Sequence, residues 1–244
     1  MSRFFVEKGM INGDIITLSE EDSQHLARVL RASVGEKITV CDDEGNEHLA
    51  KIDTISKKTV TVEIVETKPC ETEPKVKVTL FQGLPKGSKM ELIIQKCVEI
   101  GVCNIVPVAT ARAVVKLSEE KGKGKEERWN KIAQEAAKQS SRGVIPRVES
   151  PVSFEEAVKL ASGYDMAIIP YEKQEEGSLK SYLQSQTPET IAVFIGPEGG
   201  FEESEIALAE KQGIKAVSLG KRILRTETAP LTALSVIMYE YDWN

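Results

Sequence analysis

From Lys75 to the C-terminus, short apolar runs rich in β-branched residues alternate with stretches of helical periodicity. That rhythm restricts this part of the chain to an α/β domain whose sheet is mainly parallel, with helices on its faces. Strands are expected at residues 75–82, 105–109, 166–170, 191–196 and 216–219, the run 191–196 being the most apolar. Helices are expected at 89–100, stopped by Gly101, and at 129–139, 154–161, 203–212, ended by Gly213, and 231–241. Residues 118–125, with Lys-Gly-Lys-Gly-Lys, read as a polar loop.

The first 70 or so residues follow a different pattern. Short strands are expected at 3–8 and 14–18 around the turn residues Asn12 and Gly13, then a helix capped by Ser19. Glu20, Glu21 and Asp22 fill its first turn, where carboxylates meet the positive end of the helix dipole, and it ends near Arg31. Strands at 37–41, 47–55 and 59–65 follow, the first two joined by the hairpin loop 43–46. Short antiparallel strands of this kind suggest a small barrel. Residues 67–75, with Pro69 and Pro74 among charged residues, read as a linker, which divides the chain into domains 1–70 and 74–244.

Composition narrows the function classes. A formal charge of -6 argues against a passive nucleic-acid coat protein, so any RNA contact must use local basic patches. Cys41, Cys70, Cys97 and Cys103 form no C-x-x-C pair, and with only His25 and His48 beside them no metal site is expected. No run of about 18 apolar residues and no leader-like pattern in residues 1–12 occurs, so no membrane association and a cytoplasmic location are expected.

Two segments carry candidate chemistry. Ile195-Gly196-Pro197-Glu198-Gly199-Gly200 joins a buried strand to a helix, where glycines let the backbone approach a ligand. It is not a dinucleotide fingerprint, because the G-x-G-x-x-G spacing is missing and Glu198 would face a pyrophosphate. A cationic ligand such as a sulfonium tolerates Glu198 better; a tight strand-to-helix turn is the alternative. The second segment, Leu219-Gly220-Lys221-Arg222-Ile223-Leu224-Arg225-Thr226-Glu227-Thr228-Ala229, again follows a strand and precedes a helix, with three cations within five residues. A solvated charged loop is its bland reading, and Thr228 and Pro230 also suit a helix start. The two segments are expected at neighbouring strand ends, side by side.

Together these segments resemble the paired cofactor-loop motifs of the RsmE family of SPOUT methyltransferases. Arg3-Phe4-Phe5, the run from His25 to Arg31, the run from Gln95 to Val102 and the run from Trp129 to Arg142 resemble family segments in the same order. The resemblance implies an α/β fold, a knotted SPOUT methyltransferase domain preceded by a small PUA-like β-barrel for RNA, and a homodimer. It further implies S-adenosyl-L-methionine as cofactor and methylation of N3 of a uridine in 16S rRNA or the small ribosomal subunit. Composition and spacing show neither the knot nor the dimer, the cofactor or the RNA target.

On that reading Arg225, with Arg112 as second candidate, stabilises negative charge on the uracil oxygens, and Glu227 and Glu198 are candidate proton acceptors. Ile195, Gly196, Gly200, Leu219, Gly220 and Leu224 are expected around the cofactor, with Pro170 and Tyr171 completing the pocket. Arg28 and Arg31, three apart on one helix, are candidates for a phosphate pair, with Lys86, Lys89, Arg142 and Arg147 as further RNA contacts. Three rival readings remain: a related knotted enzyme for another rRNA or tRNA nucleotide, a non-catalytic ribosome-assembly factor, and a nucleotide-dependent oxidoreductase, the last disfavoured by the missing dinucleotide motif.

Overall fold

The computed structural model describes residues 2–56, 58–113, 119–174 and 178–243, without the side chains of 119–123. The chain divides into two compact units, Met1–Glu73 with Ala137–Ile145, and Pro74–Ala136 with Pro146–Asn244.

In the first unit, β1 (Arg3–Val6), β2 (Ile11–Asn12), β3 (Ile15–Thr17), β4 (Lys37–Asp42), β5 (Asn46–Ile55) and β6 (Val60–Pro69) form a sheet in the order β1-β4-β5-β6-β3-β2. The expectation of a purely antiparallel barrel is corrected in two respects. β1 pairs with β4 in parallel, and among the described residues the edge strands β1 and β2 do not pair. Phe4, Ile16, Val40, Ala50, Ile52, Val60 and Val62 project into one core, the period-two pattern of strands with a single buried face. The hairpin at 43–46 closes because the Asp42 carboxylate accepts from the backbone N–H of Glu44 and Asn46, with Gly45 at φ 85°. β6 runs on to Pro69, so the expected linker begins as strand.

Ser19 caps α1 (Glu20–Gln24), its Oγ accepting from the backbone of Asp22 at 3.1 Å, and a π-helical turn His25–Val29 follows. Residues 137–145 join this unit through Glu73, whose carboxylate accepts from Arg142 Nε at 3.2 Å and from the backbone N–H of Gly143 and Val144.

The second unit holds β7 (Lys77–Gly83), α2 (Lys89–Ile100), β8 (Asn104–Ala109), α3 (Glu119–Gln139), β9 (Arg147–Val148), β10 (Val152–Ser153) and α4 (Phe154–Ala161). After these come β11 (Met166–Pro170), α5 (Leu179–Leu183), β12 (Thr190–Ile195), α6 (Glu203–Lys211), β13 (Lys215–Val217) and α7 (Ala229–Tyr241). The last three residues of α3 cluster with the first unit.

The sheet is parallel throughout, in the order β10-β8-β7-β12-β11-β13 with β9 beside β8. β7 and β12 lie at its centre and are buried along almost their whole length, as strands covered on both faces must be. Phe81 and Phe194 stack across them at 4.6 Å, and Phe154 and Phe201 extend that cluster.

Two expectations fail here. Residues 119–125 are helical rather than a loop, while Ser118 lies outside the described residues. Glu and Lys favour helix strongly enough to carry Gly122 and Gly124, each of which costs roughly 1 kcal/mol. The strands that lead into the two candidate loops are not neighbours either, because β11 lies between β12 and β13. Strand order is set by long-range pairing, which local pattern does not carry.

Candidate active site

All strands of the second sheet run the same way, so the segments after β7, β11, β12 and β13 emerge at one edge, where open α/β sheets bind ligands. The loop after β12 is a tight turn, closed by Gly200 N–H donating to Pro197 O at 2.9 Å, with Gly200 at φ +66°. A Cβ on Gly196 would stand 3.1 Å from Gly200 Cα, a tight approach that glycine relieves where the loop folds upon itself. Beyond it, Phe201 is buried against Phe154, and Glu205 receives the backbone N–H of Glu202 at the start of α6.

The segment after β13 spans the gap that β11 creates. Gly220 takes φ +109°, and the chain returns to place Thr226, 5% exposed, against the loop after β12. Thr226 Oγ1 donates to Gly196 O at 2.7 Å and accepts from Gln82 Nε2 at 3.1 Å. One buried hydroxyl therefore ties together the ends of β7 and β12 and the returning segment. Gly83 permits the closeness, since a Cβ there would lie 2.6 Å from Pro197 Cδ and 2.8 Å from Pro197 N.

These segments enclose a cavity of about 360 Å³, which a second of about 100 Å³ adjoins through shared walls at Pro170, Glu172, Ile223, Leu224 and Ala229. Of the expected cofactor residues, Pro170, Ile195, Gly196, Gly200 and Leu224 line the larger cavity, and Tyr171, Leu219 and Gly220 the smaller. The volume lies in the range of sites for nucleoside-sized ligands. The wall chemistry suits one: aliphatic Pro170, Ile195, Leu224 and Ala229 offer faces for a purine, and Glu172 offers a carboxylate beside Gly200.

The four candidate catalytic residues separate. Arg225 lines the larger cavity, and its guanidinium makes no ion pair or hydrogen bond among the described residues. Arg112 does not line the cavity: its guanidinium donates to Gly199 O at 2.8 Å and lies 3.9 Å from Glu202, so it braces the glycine loop from outside.

Glu198 is a cavity wall, but it is tethered. Its carboxylate accepts from Lys89 Nζ at 2.8 Å and from the backbone N–H of Lys86 at 3.2 Å. Burial works to raise its pKa, yet the Lys89 hydrogen bond and backbone donors outweigh that and hold it below the usual carboxylate range. Its carboxylate is thus held by Lys89 and the turn before α2. Glu227 Oε2 is buried 3.5 Å from the same Lys89 Nζ, within charge reach but outside hydrogen-bond geometry.

The comparisons agree with this geometry. Residues 72–238 match the family described as RNA methyltransferase domain, and residues 18–65 match the RNA methyltransferase PUA domain. The chain is 39% identical to the ribosomal RNA small subunit methyltransferase E of Bacillus subtilis (strain 168), over 99% of this chain and 98% of that protein. The chain belongs to the ribosomal RNA small subunit methyltransferase E family.

Solved structures extend the match. The ribosomal RNA small subunit methyltransferase E of Neisseria gonorrhoeae, crystallised with S-adenosyl methionine, is 31% identical with a TM-score of 0.88, covering 99% of this chain and 98% of that one. A Legionella pneumophila protein described as a putative methyltransferase, solved with bound cofactor SAM, is 35% identical with a TM-score of 0.85, covering 97% and 96%.

The residues expected to meet RNA in a methyltransferase E chain are redistributed. Arg28 and Arg31 are both exposed but do not share a helix, because the helical turn ends at Val29 and Arg31 takes φ 51°. Lys86 and Arg147 are exposed, the latter 3.2 Å from Glu149. Arg142 is 3% exposed and bound to Glu73, so it cannot present its charge to phosphate. Lys89 belongs to the cavity. Sequence reasoning missed Gln82, Gly83 and Glu172, and took in Thr226 only as part of the second segment, without a role; of the three, only Gly83, a glycine at the end of an apolar strand, left a local signal.

Proposed function

We propose that this chain transfers the methyl group of S-adenosyl-L-methionine to N3 of a uridine in the 16S rRNA of the small ribosomal subunit. The observation that carries the reading is the convergence of both glycine-containing segments on one cavity, with the Arg225 guanidinium unpaired among the described residues at its wall. The bound cofactor supplies an electrophilic methyl group on a sulfonium.

The chain's own residues supply binding and orientation. Pro170, Ile195 and Leu224 hold a purine, while Gly196, Gly200 and Gly220 bring backbone groups up to the ligand. Uridine N3 attacks well only once its proton has left, and the negative charge then spreads to the flanking carbonyl oxygens. Arg225 is assigned to stabilise that charge. With Glu198 tethered and Glu227 facing Lys89, the N3 proton is assigned to solvent rather than to either acid.

RNA approaches exposed Arg28 and Arg31 on the PUA-type unit and Lys86 and Arg147 on the other. A single-stranded or flipped uridine then enters the cavity, because a paired base hides N3. The trefoil knot is assigned to the returning segment 218–228. The homodimer surface is assigned to α7, whose Val236 and Tyr239 are exposed apolar residues of a largely apolar helix. A ribosomal substrate supports a cytoplasmic location.

The test incubates the protein with small subunits lacking the modification and methyl-labelled S-adenosylmethionine, followed by nucleoside analysis. Label in 3-methyluridine is expected. Label in another nucleoside assigns the cavity to a different target, and cofactor binding without transfer favours an assembly factor.

A further inference from the structure

Lys89, the first residue of α2, stands where three segments meet. Its ammonium lies 2.8 Å from Glu198 on the loop after β12 and 3.5 Å from Glu227 on the segment after β13, while lining the cavity itself. The preceding turn adds the Lys86 N–H, which also donates to Glu198. Two carboxylates from separate segments therefore share one cation. Without it they would repel each other across the wall that the two loops must form together.

We propose that Lys89 is a positioning residue for the methyl donor: by neutralising Glu198 and Glu227 it sets the spacing of the two cofactor loops. This rests on the reading of the cavity as the S-adenosylmethionine site. Three features favour this role over an RNA contact. The ammonium points to the acids rather than outward, its side chain being 32% exposed. Its hydrogen bond to Glu198 raises its pKa, so the charge persists through the neutral range. Glu227 Oε2, buried and without a hydrogen bond, has this ammonium as its charge partner in the described structure.

The same cluster accounts for the tolerance of two acids beside a donor that must also accept an RNA anion. One lysine against two glutamates leaves a single negative charge. That residue of charge favours a sulfonium over a neutral thioether, and it is smaller than two free carboxylates would present to phosphate.

The test measures S-adenosylmethionine affinity by calorimetry on the full chain, and kcat and KM on small subunits. Lys89→Met is expected to weaken cofactor affinity about tenfold, as for a partly exposed ion-pair network, with kcat at saturating cofactor within about threefold of wild type. Lys89→Arg should stay within about threefold in both. Combining Lys89→Met with Glu198→Gln and Glu227→Gln should restore most of the lost affinity, because the repulsion is removed with the charges.

Should Lys89→Met fail to fold, Glu198→Gln with Glu227→Gln decides the matter: leaving the lysine uncompensated beside a sulfonium must weaken binding. Wild-type affinity in a folded Lys89→Met variant, or in the double acid variant, overturns the proposal. So does a change confined to KM for the subunit, which would make Lys89 an RNA contact. Absence of cofactor binding by the wild type would instead refute the reading of the cavity.

Discussion

Replacing Thr226 by valine exchanges a buried hydroxyl for a methyl of nearly the same shape and removes the junction of the site. The Oγ1 of Thr226 donates to Gly196 O at 2.7 Å and accepts from Gln82 Nε2 at 3.1 Å, in a residue 5% exposed. Both partners lose a hydrogen bond where little water can replace it. Gln82 is fully buried, and its Oε1 already lacks a partner among the described residues, so its amide would retain only Gly83 O.

Leaving a buried donor or acceptor unsatisfied costs about 1–3 kcal/mol each, which the extra methyl offsets by about 0.8 kcal/mol. A net loss of about 1–5 kcal/mol follows, and at about 2–4 °C per kcal/mol for a chain of this length the melting temperature should fall by about 2–20 °C. The loss is centred on the junction of the loops, so cofactor affinity should fall with it. Thr226→Ser keeps the hydroxyl and serves as control, costing about 1 kcal/mol for the methyl. Scanning calorimetry and S-adenosylmethionine titration measure both effects. A valine variant that melts within about 1 °C of wild type and binds the cofactor equally well would refute the reasoning.

Other perturbations have defined outcomes. Gly83→Ala puts a Cβ 2.6 Å from Pro197 Cδ, and since backbone must move, a loss of about 1–3 kcal/mol with weakened cofactor binding is expected in the same assays. Arg225→Glu should abolish most methylation while leaving the melting temperature nearly unchanged; undiminished turnover removes Arg225 from the mechanism. Asp42, Glu47 and Glu198 are held below their ordinary pKa despite burial, by donors from Asn46, Arg3 and Lys89 respectively. Their contribution to stability is therefore complete above the ordinary values of 3.8 and 4.5 and lost as pH falls through the lowered ones, and Glu47→Gln should flatten that acid limb in a pH series of melts. Burial pushes the Cys41 thiol up to about 11 and the Cys97 thiol up as well, so an aromatic disulfide reagent at pH 8 should leave both unreacted until the chain is denatured.

The parts of the fold legible in the sequence are those with local causes. α2 ends at Gly101 because that residue takes φ 117° and its N–H reaches back to Cys97 O, and α4 begins at Phe154 because Ser153 Oγ accepts from the backbone of Glu156. β9, β10 and α5 went unseen because two or five residues carry no measurable periodicity. α3 begins earlier than expected because the polar composition of 119–125, which marks a loop, is also rich in the helix formers Glu and Lys.

At the site, the glycine loops announced themselves by composition. What joins them did not: Gln82 and Thr226 are 144 residues apart and meet only through strand order. Lys89 looked like one cation among many, and Arg142 like another, until distances gave the first to two carboxylates and burial gave the second to Glu73.

The central claim is that the segments after β12 and β13 form one chamber for a methyl donor. A crystal structure of the chain grown with S-adenosylmethionine tests it most directly. The account predicts a purine against Pro170, Ile195 and Leu224, with the sulfonium methyl facing the space beside Arg225. Cofactor density anywhere else on the chain, with that space filled by protein side chains, would contradict it.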